Sequence, residues 1–180
     1  MNVPEYRSAR VRLVLLCGWI LLLAVLFAQA EVQIEGAHGW ASALPTWRVA
    51  DAPVLKLLFG GRQITGYHVF IFAFMVAVFH LPYALLGGFS WRVEARILGS
   101  LMAFWIAEDI LWFALNPAYG LSRLTPRDAP WHPHWCLGIP IDYFVCLGSG
   151  AFLLAFSFRS PPAAGKVAPE VVKPARVEKS

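Results

Sequence analysis

The sequence predicts an all-α, polytopic integral membrane protein: a four-transmembrane-helix bundle with a short interfacial helix in its first outer loop. Three observations predict it. Of 180 residues, 58% are hydrophobic and only 14% charged, where a soluble domain carries about a quarter charged residues. Four stretches, each roughly the 20 residues a helix needs to cross a bilayer, are nearly free of charge. The basic residues lie beside these stretches and form no single patch. The net charge of +4 therefore reads as a topology signal and not as a nucleic-acid surface.

The first span is expected at about 11–30. It follows Arg7, Arg10 and Arg12, and no charge occurs from Leu13 to Ala30. Positive residues, an apolar stretch and the ending Ala28-Gln29-Ala30 also describe a cleavable signal peptide. The uncharged stretch is long for that purpose, so a retained helix is favoured and the cleavage alternative stays open. In the polar loop that follows, Asp51 and Pro53 open a short apolar segment that Gly60-Gly61 closes, the punctuation of a helix lying on the membrane surface.

The second span is expected at 65–86, with Pro82 close enough to its end to cost few backbone bonds. Gly87, Gly88 and Ser90 then supply a tight turn. The third span covers 95–116 and stops at Pro117. After a second polar loop, the fourth covers 138–158. These spans make one transmembrane domain over residues 1–158. The remainder, 159–180, mixes Pro161, Pro162, Pro169 and Pro174 with Lys and Arg and reads as a disordered tail.

Orientation follows from the basic residues. The N-terminal flank, the Arg92–Arg96 turn and the tail hold ten, and the other two loops hold five: Arg48, Lys56, Arg62, Arg123 and Arg127. That asymmetry places both termini in the cytoplasm and the protein in the cytoplasmic (inner) membrane. Trp40, Trp47, Trp131 and Trp135 then gather on the outer side as an interfacial belt. No internal repeat supports a transporter made of duplicated halves.

The chemically informative segment is Trp105-Ile-Ala-Glu-Asp-Ile-Leu-Trp112, with Glu108 and Asp109 inside an otherwise uncharged span. An unpaired ionised carboxylate there costs about 2.5–3.5 kcal/mol or more. At 100° per residue Glu108 shares a face with Trp105 and Trp112, and Asp109 shares one with Phe113 and Asn116. The plain structural reading is that both carboxyls cap loop amides or pair with an Arg. The functional reading is a ligand or proton-transfer site.

A second segment, Trp131-His132-Pro133-His134-Trp135, is followed by Asp142. If extended, it turns both imidazoles the same way, toward one ion. Topology gathers Asn116, His132, His134, Asp142 and His68 at the outer end of the bundle, where Glu31, Glu35 and His38 open the first loop. Histidines with carboxylates are the donors of a divalent metal site, with His132, His134 and Asp142 as ligands and Glu108 and Asp109 as catalytic groups.

No HExxH, GxSxG, P-loop or EF-hand pattern supports a particular reaction. Cys17, Cys136 and Cys146 show no metal or redox spacing, and Cys17 and Cys146 read as small core residues. His80 reads as a hydrogen bond across helices, and the unequal depths of His68 and His80 argue against bis-His haem. The expectation is a membrane protein with a polar, candidate metal-binding site at its outer end. In enzyme form it acts on a lipid-like substrate. The alternative is a non-catalytic structural subunit or assembly factor. Membrane lipids are the expected partners, with other membrane subunits or self-association next and no nucleic acid; a proton or ion conduit would need an oligomer.

Overall fold

In the computed structural model the described residues, 9–49, 53 and 62–159, are mostly helical. The order is α1 (Ala9–Glu35), β1 (Arg48–Val49), β2 (Ile64–Thr65), α2 (Gly66–Phe79), α3 (Leu81–Leu86), α4 (Trp91–Leu115), a 3-10 turn at Leu121–Arg123, β3 (Trp135–Cys136), β4 (Ile139–Pro140) and α5 (Ile141–Phe158). Among the described residues, three helices are long and apolar enough to cross a membrane: Arg10–Glu35, Trp91–Leu115 and Ile141–Phe158. The expected interfacial helix, apart from Pro53, and the expected tail, apart from Arg159, lie outside the described residues.

α4 is the central helix, with α1 and α5 packed along it. On α1 the buried positions Ile20, Ala24, Ala28 and Val32 recur every fourth residue and form one face. Ile20 and Ala24 meet Phe104 and Met75, and Ala28 and Val32 meet Trp112 and Phe113. Small alanines there let the two helices approach closely. Cys17 is exposed, so it is not the core residue its apolar surroundings suggested; the side of α1 it occupies also carries exposed Val14 and Leu21.

α1 also runs five residues past its expected end. The helix is unbroken through Ala28-Gln29-Ala30 and stops at Gly36, whose φ of 60° suits glycine. Glu31 and Glu35 therefore sit on the last turns of a helix and do not open a loop.

The stretch expected as the second span is divided. α2 is a 14-residue apolar helix, His80 breaks it, and the six-residue α3 follows. Pro82 is the cause: it has no N–H to return to Val78, and its ring crowds that turn. His80 meets Glu94 of α4 through Nε2 at 3.4 Å, and its Nδ1 lies 2.7 Å from Val76 O on its own helix.

Two small hairpin-like pairs organise the loops at one end of the bundle. β1 and β2 are antiparallel, and Arg48 Nη2 donates to the carbonyls of Ala41, Ser42 and Leu44. β3 and β4 are joined through Leu137 and Gly138, both at positive φ, a two-residue turn of the type that fits strand twist. Above the helix ends, Trp131 stacks with Phe113 and meets Trp112 and Tyr119.

Candidate functional site

Four helix ends meet beneath these loops. The C-terminal turns of α1 and α4 and the N-terminal turns of α2 and α5 surround a cavity of about 590 Å³. Its aromatic wall includes Trp40, Phe72, Trp105, Trp112 and Trp131, and its polar lining includes Glu31, Glu35, Glu108, Asp109 and Asp142.

Each carboxyl arrives by a local reason. Glu31 and Glu35, four apart on α1, lie one turn above the other. Tyr67 Oη, at the start of α2, donates to Glu31 Oε1 at 2.8 Å. Glu35 accepts the backbone N–H of Ala41, where the loop turns back at positive φ. Glu108 is 4% exposed and lies beside Glu31 in the cavity wall.

His132 joins two helices. Its Nδ1 lies 3.2 Å from Asp142 Oδ2 on α5, and its Nε2 lies 3.1 Å from Asp109 Oδ2 on α4. The second contact has ion-pair distance but is not aligned as a hydrogen bond. Arg62 donates to Asp142 and also approaches His132 Nδ1 at 2.9 Å, and Tyr143 donates to Asp109. Burial alone would lower the proton affinity of this imidazole. The carboxyls of Asp109 and Asp142 outweigh burial and the nearby Arg62 charge, and hold the pKa above its ordinary value. In the protonated form both ring nitrogens face carboxylates, and Arg62 serves Asp142.

His68 is buried and stacked on Trp40 with centroids 4.0 Å apart. It also completes a capping box with Thr65: Thr65 Oγ1 accepts from His68 N, and His68 Nδ1 accepts from Thr65 N. Its ring therefore fixes the start of α2 while lining the cavity.

Of the residues singled out in the sequence, Glu35, His68, Glu108, Asp109, His132, His134 and Asp142 line the cavity. Asn116 and His38 do not. Asn116 Nδ2 donates to Gly36 O at 2.7 Å and its Oδ1 accepts from Ala118 N, tying the end of α4 to the end of α1. His38 is exposed in a separate surface groove with Arg123 and Arg127. The two loop histidines do not act as a matched pair: His132 is buried, and His134 is exposed. Among the described residues no group of three or more His, Cys, Asp or Glu is arranged to hold a metal ion.

The partners Tyr67, Tyr143 and Arg62 were not singled out, and no local pattern marks them. Tyr67 and Glu31 are 36 positions apart, and Arg62 and Asp142 are 80 apart.

Among the described residues five buried side-chain atoms lack a hydrogen-bond partner: Arg62 Nε, Ser100 Oγ, Glu108 Oε1, Trp112 Nε1 and His132 Nε2. All but Ser100 belong to residues lining this one cavity. Buried polar groups are ordinarily satisfied by protein or ordered water, so this concentration sets the cavity apart from the rest of the described core. Comparisons with protein-family models, with curated proteins and with solved structures return no match.

Proposed function

We propose that the chain is a four-span protein of the cytoplasmic membrane, termini inside, that binds a small polar or amphipathic molecule in the carboxyl-lined cavity at its extracytoplasmic end. The observation that carries this reading is Glu108 Oε1, buried and without a partner in the cavity wall. A purely structural carboxyl would have both oxygens bonded, because a buried unmet acceptor costs about 1–3 kcal/mol.

In this reading Glu31 and Glu108, both in the cavity wall, share a proton and exchange it with a bound molecule. General acid–base chemistry on a lipid-like substrate is the enzymatic form of this reading. A metal-dependent form has less support, because both nitrogens of His132 face carboxyls and His134 is exposed.

The second reading, a non-catalytic subunit or assembly factor, is favoured by Asn116 and by the Arg62–Asp142 pair, whose contacts tie loops to helix ends. Native mass spectrometry of the protein released from its own membrane separates the two. The expected result is a co-bound small molecule on the wild type and much less on Glu108→Gln. A wild type that carries nothing, beside an equally folded variant, would sink the binding reading and leave the scaffold. Metal lost on His132→Ala would restore the metal-dependent form.

A further inference from the structure

The cavity also restricts the kind of molecule that can complete it. Resting on the binding reading above, we infer that its ligand presents a primary ammonium with an oxygen acceptor a few atoms away, the chemistry of an aminoethyl alcohol or ester.

Charge is the first reason. Five carboxyls, Glu31, Glu35, Glu108, Asp109 and Asp142, line the cavity, against one guanidinium, Arg62, and the imidazole of His132. These two are already engaged with Asp109 and Asp142. A cation placed among the remaining carboxyls is attracted to those that are ionised and can donate to any of them. A bare metal ion could accept nothing from Trp112 Nε1, so the cation we infer is organic. The aromatic wall agrees, since Trp faces attract cations electrostatically.

The unpartnered atoms define the rest. Glu108 Oε1 lacks a donor and Trp112 Nε1 lacks an acceptor. The two residues are four apart on α4, so they lie one helical turn apart on one face. A quaternary ammonium has no N–H to give Glu108. A neutral diol would satisfy both atoms but gain no charge attraction from the carboxyl lining. An anion would meet the carboxyls directly. A primary ammonium with a nearby oxygen donates to Glu108 and accepts from Trp112.

Such a group occurs both as a phospholipid head group and as a free amine. The test uses the full chain in phosphatidylcholine nanodiscs, read by the fluorescence of the cavity tryptophans. Ethanolamine is titrated beside ethylene glycol, choline and propylamine. A second arm compares discs containing phosphatidylethanolamine with discs containing phosphatidylglycerol.

The expected result is a saturable change with ethanolamine or phosphatidylethanolamine, weakened about tenfold or more in Glu108→Gln. A response in the lipid arm alone identifies a head group, and one in the soluble arm alone a free amine. Trp112→Phe keeps the ring and removes the N–H, so it should erase the preference for ethanolamine over propylamine even if Glu108→Gln proves unstable. Equal responses to ethylene glycol, or a response to phosphatidylglycerol only, would overturn the ammonium assignment and leave ligand binding standing. Silence in every arm, with a different molecule found by native mass spectrometry, would do the same. Silence in both experiments would remove both readings.

Discussion

His132 is held between Asp109 from α4 and Asp142 from α5, with Arg62 and Tyr143 completing its surroundings. Its folded pKa is raised above the ordinary 6.5. A raised value means that the imidazolium is stabilised by folding. That contribution is fully present below pH 6.5 and is lost as pH rises through the folded value. Melting of detergent-solubilised protein across this range should show the wild type losing its advantage over His132→Gln, which cannot titrate. The advantage at low pH should be about 1–3 kcal/mol. Parallel pH profiles for the two proteins would show that the imidazole is not charged in the fold. Little of this was legible beforehand. Helical spacing did place Glu108 with Trp105 and Trp112, and all three line the cavity. It also grouped Asp109 with Phe113 and Asn116, which do not line it, because Asp109 is drawn to Tyr143 and His132 across a helix boundary. Spacing along one helix carries no information about such partners.

At the scale of elements, the contact between α4 and α5 depends on two glycines. A Cβ built at Gly99 would lie 2.9 Å from Gly150 O and 2.9 Å from Leu154 Cγ, closer than real contacts allow. The backbones therefore touch here as they do where small residues line membrane helix interfaces. Gly148, on the same helix as Gly150, has no neighbour within 4 Å of such a Cβ. Gly99→Ala should destabilise the protein by about 1–3 kcal/mol through overpacking. Gly148→Ala should be neutral or stabilise by up to about 1 kcal/mol through helix propensity. Unfolding in graded denaturing detergent measures both, and equal effects would contradict the close approach. The helices themselves were readable from apolar length, because lipid imposes that length. Their ends were not: α1 continues to Glu35, where Tyr67 Oη donates to Glu31 and Ala41 N donates to Glu35. No charge-based boundary can foresee tertiary partners of that kind.

At the scale of the whole molecule, the site constrains the path of the chain. His68 lies at the cavity end, and α4 begins at Trp91 and returns to the cavity at Glu108. From Trp91 to Glu108 the helix rises about 25 Å. The segment between His68 and Trp91 must therefore travel the same depth in the opposite direction. α2 and α3 supply about 21 and 9 Å of helix for that journey, close to the ~30 Å of a hydrocarbon core. This is why we propose that the divided helix counts as a crossing although neither piece spans alone. Ten basic residues belong in sequence to the N-terminal flank, the Arg92–Arg96 turn and the C-terminal segment, so by charge asymmetry the cavity end should face away from the cytoplasm. Cys136 is exposed in β3 at that end, so a Cys17→Ala/Cys146→Ala protein should react with an impermeant maleimide added to intact cells. Reporters fused after Ser90 and after Ser180 should both read as cytoplasmic. Labelling that needs permeabilised cells would invert the bundle and move the site inside. A reporter after Ser90 that reads as external, with Ser180 still internal, would instead show that residues 66–86 do not cross, leaving only three spans to enclose the cavity.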